Sequence, residues 1–339
     1  METQTTLPTN QSAAEIRSDN AHSSVACIAG EMQQVEQLLR DQMQSKYEDL
    51  SPLLAHGALL GGKRLRPALV LLAAKASGEL KRDHVVLGTV VEMIHTATLI
   101  HDDVLDAADQ RRHLPTVNAK WNDQTSILLG DYLFAQAFTL SATLGSTQAC
   151  QWIGDAARRV CEGELRQIFT SGFANLSEQD YFDIIRGKTA ELCRVSCQLG
   201  GCYSGADAAA QTALAEFGEN LGIAFQIADD YLDVWGSTDR VGKTLGTDLL
   251  QAKPTLPLIR LLQTDPAMQT QLDELQDASD DERCQAIMSN LDRSDAKEYT
   301  LARAKQFAAN AIAAIDFLPA SAAKKALQEI AMFSVNRNF

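Results

Sequence analysis

Proline is scarce, eight residues in 339, and no stretch alternates apolar and polar positions as a half-buried strand does. The few prolines leave room for long uninterrupted helices, and the missing alternation excludes a β-rich architecture. Basic residues are outnumbered, with 30 Lys and Arg against 44 Asp and Glu for a net charge of −14. Such a balance gives no general attraction to a nucleic-acid backbone, so no nucleic-acid partner is expected. Any anionic ligand must be held by a local group of cations or by a metal. No apolar run approaches the ~18 residues of a membrane span, and Met1 to Ser24 is polar, without the apolar core of a signal peptide. The chain therefore reads as cytoplasmic, with no stable membrane insertion. The cysteines are Cys27, Cys150, Cys161, Cys193, Cys197, Cys202 and Cys284, an odd number with no Cys-x-x-Cys pair, and reduced core thiols are expected. Cys193 and Cys197 lie one helical turn apart but lack the two further ligands that zinc requires.

What is present is helical. Hydrophobic residues make up 45% of the chain, enough for a large core. Residues 1–25 mix Thr, Ser, Asn, Gln and Asp without periodicity and read as a polar tail ahead of one domain, 26–339. Helical periodicity follows over Ile28 to Leu50, Arg66 to Ala76, His84 to Leu105, Thr125 to Thr143, Thr147 to Phe169, Glu178 to Leu199, Ala206 to Val234, Leu256 to Gln263 and from Asp281 onward. Val85 to Ile100 and Leu221 to Leu232 are apolar nearly all round, so each must be surrounded by other helices. The predicted class is all-α, a single large bundle with central helices.

Two of those apolar helices carry the same acidic pattern. One reads His101-Asp102-Asp103-Val104-Leu105-Asp106, the other Asp229-Asp230-Tyr231-Leu232-Asp233. Asp-Asp-x-x-Asp stacks its first and last carboxylates on one helical face, close enough to grip the same ion. At this aspartate content the pattern arises by chance about 0.2 times, so two copies argue for a purpose. Carboxylates on an apolar helix repel one another and lose solvation, which implies a counter-ion. All-oxygen ligation by a few carboxylates suits Mg²⁺, which bridges readily to phosphate oxygens.

Cations flank the clusters where a phosphate would need them. Arg111 and Arg112 follow the first, and a glycine-containing stretch with Lys243 and Lys253 follows the second. Upstream, Gly61-Gly62-Lys63-Arg64-Leu65-Arg66-Pro67 places three cations directly after a glycine pair that lets backbone approach a ligand. Gly236 to Thr244 looks like a P-loop, but five residues separate its glycines and a helix precedes it, so a nucleotide triphosphatase is rejected.

Together these pieces resemble the trans (all-E) polyprenyl diphosphate synthases over roughly Leu54 to Arg337. The resemblance rests on Gly-Gly-Lys63-Arg64-Leu-Arg66-Pro; on His95 and Asp102-Asp103-Val-Leu-Asp106 with Arg111-Arg112 behind them; on Gly187-Lys188-Thr189; on Phe225-Gln226-Ile-Ala-Asp229-Asp230-Tyr-Leu-Asp233; and on Gly242-Lys243 with Gly246-Thr-Asp248-Leu. His113 and Ala252 stand where the family usually has Gly. The resemblance implies the isoprenoid synthase fold, a helical bundle around a central cavity, and a prenyltransferase that joins isopentenyl diphosphate head-to-tail to an allylic diphosphate. Three Mg²⁺ ions are implied, held by Asp102, Asp106 and Asp229, with Asp103, Asp230 and Asp233 as further or supporting ligands. Asp102, Asp103, Asp106, Asp229, Asp230 and Lys188 form the implied catalytic set. Arg111, Lys188, Thr189, Gln226 and Lys243 are the implied contacts to the allylic diphosphate, and Lys63, Arg66, His95 and Arg112 those to isopentenyl diphosphate. A structural role is expected for His101. The family also implies a homodimer, for which the apolar helix Thr125 to Thr143 offers a face.

Two other readings share some of these features. A shorter-chain farnesyl or geranylgeranyl diphosphate synthase has the same chemistry. A non-catalytic regulatory subunit keeps the fold but usually loses carboxylates, and none of the six is missing here. In shorter-chain members, bulky aromatics four or five residues before the first aspartate block the product tunnel. Here those places hold Thr98 and Ala97, with Ile94 a turn earlier. The implied tunnel is open, giving a long-chain all-trans product in the hexaprenyl to decaprenyl range used for quinone side chains, its length set by deeper residues such as Phe134 or Phe138. Ala97→Phe is expected to shorten the product sharply; radio-chromatography showing an unchanged chain length would refute the open tunnel.

Overall fold

The computed structural model describes residues 25–170, 177–236, 253, 255–265, 267–274 and 279–336. The expected tail, up to Ser24, falls outside them. The described residues are helical throughout apart from one hairpin, in accord with the predicted class. The helices are α1 (Ala29–Gln42), α2 (Ser51–Leu59), α3 (Leu65–Ser77), α4 (Arg82–Leu105), the short α5 (Val117–Lys120), α6 (Asp123–Ser141), α7 (Thr147–Phe169), α8 (Glu178–Ile185), α9 (Glu191–Ser204), α10 (Ala208–Trp235), α11 (Leu256–Thr264), α12 (Ala267–Glu274), α13 (Asp280–Leu291), α14 (Ala296–Ala314) and α15 (Ala322–Val335).

The central position of α4 follows from its composition. Leu87, Val90, Val91, Met93, Ile94, Ala97 and Ile100 are all essentially inaccessible to solvent, each large one worth about 1.5–3 kcal/mol of burial. Helix α4 packs on α3 and α6, α3 packs on α9, and α10 packs on α9 and α14, so the helices bearing the two acidic clusters lie inside the bundle. His84, also inaccessible, fastens the start of α4: its Nδ1 accepts from the Lys81 N–H at 2.9 Å and its Nε2 lies 3.2 Å from the Gly200 carbonyl on α9. Burial lowers its pKa against those backbone bonds, favouring the neutral ring.

Three local departures from the sequence reading have physical causes. The helix expected over Ile28 to Leu50 ends at Gln42, and a 3₁₀ turn at Glu48–Leu50 leads into α2, where Pro52 sits in the first turn. Proline there begins a helix more readily than it continues one. After α4 the chain forms a small hairpin, Gln110–Arg111 (β1) against Leu114–Pro115 (β2), too short to show an alternating pattern. Its two connecting residues, Arg112 and His113, both have positive φ, 53° and 64°, as a two-residue hairpin turn matching strand twist requires. His113 thus occupies a left-handed position that the family usually gives to glycine.

The third departure matters most for the site. The helix expected over Glu178 to Leu199 contains a π-helical turn, Arg186–Ala190, between α8 and α9. Wide turns of this kind recur at functional positions, and this one carries Lys188 and Thr189. It lies against α7, where a side chain on Gly163 would come within 2.6 Å of the Lys188 backbone nitrogen and one on Gly187 within 2.9 Å of the Arg159 carbonyl. Two glycines therefore set the approach of these backbones.

Helix α6 has an outward apolar face. Within Asp123–Leu144 an 18-residue stretch has a mean hydropathy of 1.3, so the segment is long and apolar enough by length and composition to cross a membrane, and only 28% of that stretch is buried. Ile127, Leu128 and Tyr132 are exposed on it, while Leu133 and Ala137 point into the core.

Helix propensity alone predicts that Gly163→Ala stabilises α7 by up to about 1 kcal/mol. The contact with the π turn reverses that sign, and a loss of about 1–3 kcal/mol is expected from the forced displacement. Urea denaturation decides between them through the direction in which the midpoint moves.

Candidate active site

Helix α4 delivers the first acidic cluster at its C-terminal end. Asp103 is buried, and both Nε and Nη2 of Arg111 reach its Oδ1 at 2.8 Å. Arg111 is thereby engaged by a carboxylate of the first cluster, a charge-assisted contact that fixes the hairpin against the helix. Asp106 caps α4, and the next residue, Ala107, takes a positive φ of 49° that ends it. The Asp106 carboxylate accepts from Lys253 Nζ at 3.0 Å across a separation of 147 residues.

Asp102, half-buried, is the electrostatically stressed member. Burial pushes its carboxyl up to about 6; Lys188 opposes the rise, while Glu164 and Asp106 add to it. Lys188 reaches down from the π turn to pair with Glu164 on α7 at 2.7 Å. Burial by itself would lower the Lys188 pKa, but Glu164, Asp102 and Asp106 together hold it above its ordinary value, so the ammonium stays charged. Sequence reasoning missed Glu164. Its signal was Gly163-Glu164 in the middle of an otherwise regular amphipathic helix, where glycine needs a packing reason.

The second cluster hangs on a hydrogen-bonded line. Thr189 Oγ1 donates to Gln226 Oε1 at 2.8 Å, Gln226 Nε2 donates to Asp230 Oδ1 at 2.8 Å, and the Tyr181 hydroxyl donates to Asp230 Oδ2 at 2.7 Å. Asp230 is buried, whereas Asp229 and Asp233 are half-buried on the same helix. Tyr181 also escaped the sequence reading, because a tyrosine in a helix ordinarily signals only packing. Lys188, Thr189, Gln226, Asp230, Lys253 and Tyr181 line one cleft. Asp230 of the second cluster lines this cleft, and two cations of the same cleft reach the first cluster: Lys253 pairs with Asp106 at 3.0 Å and Lys188 interacts electrostatically with Asp102. Lys243, Gly242 and Asp248 lie outside the described residues, as does all of the P-loop-like stretch after Gly236.

The remaining cations gather earlier on α4. His95 lies within electrostatic reach of Arg66, Arg111, Arg112 and Arg64; burial, and then those four cations, hold its pKa well below the usual value, so the ring is neutral. Arg112 Nη1 donates to the Gly61 carbonyl at 2.7 Å, and burial together with Arg111 pulls its guanidinium below its ordinary pKa. Arg66 Nε is buried with no hydrogen-bond partner among the described residues. Crowded cations and an unsatisfied buried donor describe a place prepared for an anion. Lys63, exposed, stands at its edge.

The other expected positions lie within the packed bundle. His101 Nε2 lies 3.1 Å from the Ile127 carbonyl on α6, and its ring packs near Phe134. Ala97 is fully buried, Thr98 donates its hydroxyl to the His95 carbonyl at 2.8 Å, and Phe134 and Phe138 are half-buried against the same core. Cys193 and Cys197 are buried thiols, their pKa values raised by burial, and Cys161 is exposed; all seven cysteines are free.

The stress on Asp102 makes a signed prediction for the metal-free protein. A carboxyl whose folded pKa is raised from 3.8 to about 6 costs stability as pH rises through that interval, at most about 3 kcal/mol once ionised. Asp102→Asn is therefore expected to raise the melting temperature at pH 8 by about 2–4 °C, with the gain vanishing near pH 4. Equal shifts at both pH values, measured in chelator by calorimetry, would show that Asp102 is not stressed.

Comparison with known proteins agrees with this geometry. The family model for polyprenyl synthetase matches residues 48–291. The octaprenyl diphosphate synthase of Haemophilus influenzae is 36% identical over 311 residues, covering 91% of this chain and 94% of that protein. The all-trans-nonaprenyl-diphosphate synthase of Rhodobacter capsulatus is 34% identical over 92% of this chain and 97% of its own length. Among solved structures, the polyprenyl synthase of Caulobacter crescentus, crystallised with calcium and isoprenyl diphosphate, superposes with a TM-score of 0.88 at 36% identity, over 94% of this chain and 98% of its own. The chain belongs to the polyprenyl synthetase family, the trans-polyprenyl diphosphate synthases.

Proposed function

We propose that the chain is a Mg²⁺-dependent prenyltransferase that extends an allylic diphosphate with isopentenyl diphosphate into a long-chain all-trans polyprenyl diphosphate. The observation that carries this reading is the cleft in which Asp230 of the second acidic cluster sits beside Lys188 and Lys253, the two lysines that engage Asp102 and Asp106 of the first, while His95 and the arginines around it support a separate anion site.

The donor set fits the metal. Asp102, Asp106 and Asp229 offer only hard oxygen, and the upward pressure on Asp102 is what a divalent cation would relieve. Among the described residues no three acidic, His or Cys side chains form a ready-made metal cluster; Mg²⁺ bound through one or two carboxylates and substrate phosphates needs none. Bound there, Mg²⁺ would neutralise charge on the allylic diphosphate as its carbon–oxygen bond ionises.

This chain's own residues do the rest. Lys188, held charged beside Glu164, and Lys253 present fixed cations to the departing diphosphate, with Thr189, Gln226 and Arg111 orienting it and Lys243 as a further contact. Asp103 and Asp230 position their neighbours, since Arg111, Gln226 and Tyr181 engage them. Lys63, Arg66 and Arg112 bind isopentenyl diphosphate, and neutral His95 adds a hydrogen bond without a competing charge. The double bond of isopentenyl diphosphate attacks the allylic cation, and the released diphosphate takes the proton, so no dedicated side-chain base is required.

The small Ala97 and Thr98 and the octaprenyl, heptaprenyl and nonaprenyl names of several relatives support the long-chain product over the shorter-chain reading. Residues 26–339 act as one synthase unit, with the tail outside it. A second copy covers Ile127, Leu128 and Tyr132 on α6, giving a homodimer, and the net charge of −14, which disfavours docking on anionic lipid, supports a cytoplasmic location.

The purified chain alone, given Mg²⁺, labelled isopentenyl diphosphate and farnesyl diphosphate, is expected to make products of about six to ten isoprene units, with activity abolished by chelation and reduced at least about 100-fold by Asp102→Asn. No incorporation by the folded chain would favour the regulatory subunit instead. Products stopping at three or four units would favour the shorter-chain synthase.

A further inference from the structure

The loop Gly61-Gly62-Lys63-Arg64 contains a cation that the proposed reaction does not use. Arg64 does not point toward the anion site. Its Nε donates to Glu36 Oε1 on α1 at 2.6 Å, and its Nη1 donates to Glu92 Oε1 on α4 at 2.9 Å. Glu92 is 1% exposed, so its contact with Arg64 lies inside the bundle, where removing one partner leaves the other buried and uncompensated. The Arg64 backbone is left-handed, φ 54° and ψ 34°, at the cap that begins α3. A non-glycine residue adopts this conformation at an energetic cost and keeps it only where its surroundings enforce it.

The consequence of that conformation lies on either side of Arg64. Lys63 precedes the turn and Arg66 lies in the first turn of the helix that follows, so the direction of both side chains is set where the chain reverses at Arg64. The guanidinium also fills the space beside Gly61, where any Cβ would overlap Arg64 Nη1. From the other side, Arg112 Nη1 holds the Gly61 carbonyl at 2.7 Å. Gly61 is thus caught between two arginines, one clamped by carboxylates and one facing the anion site.

We infer that Arg64, clamped by Glu36 and Glu92, is a positioning residue that aims Lys63, Arg66 and Arg112 at the diphosphate of the non-allylic substrate. The inference rests on the assignment of that site to isopentenyl diphosphate in the proposed function. It separates the two substrates: the clamp belongs to the anion site near His95 and touches none of the groups around Asp102, Lys188 or Asp230.

The test uses the full chain and the variants Arg64→Gly, which relaxes the left-handed turn but removes the guanidinium, Glu92→Gln, and the two combined. Each single change is expected to weaken equilibrium binding of isopentenyl diphosphate, measured without metal, and to raise its KM by about tenfold. KM for farnesyl diphosphate and kcat at saturating isopentenyl diphosphate should stay within about twofold, and the double variant should be no worse than either single one. Should Glu92→Gln fail to fold, Glu36→Gln, on a side chain that is 34% exposed, carries the same test with a smaller effect of about threefold. Unchanged isopentenyl diphosphate binding by folded variants overturns the proposal, as does a parallel rise in KM for both substrates, which a purely structural role would produce. Absence of binding by the unaltered chain would instead overturn the assignment of the site itself.

Discussion

Like charge held beside like charge is the constraint around which this molecule is arranged. Asp102 shares its surroundings with Asp106 and Glu164, and the lysines that meet them compensate only in part, since its carboxyl still sits at about 6. A fold relieves such repulsion by neutralisation, solvent exposure or a cation supplied from outside. Asp102 is too enclosed for full solvation, and Lys188 and Lys253 are engaged with Glu164 and Asp106. On the proposed function a substrate-borne divalent cation would be the remaining route, and the stress would then favour its binding.

The elements that hold this arrangement are irregular where they must be. A regular helix through 186–190 would turn Lys188 and Thr189 to different directions relative to α8 and α9; the π turn sets both toward the cleft, with Thr189 on Gln226 and Lys188 on Glu164. Gly163 and Gly187 let that wide turn lie against α7. The hairpin after α4 is likewise unusual, three left-handed non-glycine residues, Ala107, Arg112 and His113, within seven positions. It persists because it is tied on several sides: Thr116 Oγ1 donates to the Ala108 carbonyl at 2.7 Å, His56 Nε2 lies 2.8 Å from the Pro115 carbonyl, and Arg111 grips Asp103. Strain of this kind concentrates at ligand-binding positions.

What could be read from the sequence was whatever repeats or has a period. The apolar character of α4 and α10 showed that they are enclosed, and the doubled Asp-Asp-x-x-Asp was the signal that pointed to a cation between carboxylates. The cationic glycine loop was legible because three cations follow a glycine pair. Glu164, Tyr181 and the partner of Arg64 were not legible, because each acts through a contact across 24 to 49 residues that no local pattern encodes. The π turn was hidden for a different reason: one extra residue in a helical turn leaves the apolar periodicity of its flanks nearly intact. The hairpin was hidden by length, since two residues per strand cannot display alternation.

The register of α4 separates the side that carries its charged residues from the side on which Ala97 is buried. At about 100° per residue, Glu92, His95, Asp102 and Asp106 fall within a stripe about 80° wide. Between His95 and Asp102 the helix rises about 10 Å, so a single rigid element fixes the spacing between the neutral histidine among its arginines and the acidic end. Ala97 lies on the opposite side of the same helix, fully buried toward the core. A change in side-chain size there alters packing on that side of α4 without moving the stripe that carries the charges, so on the proposed function product length can vary independently of the chemistry.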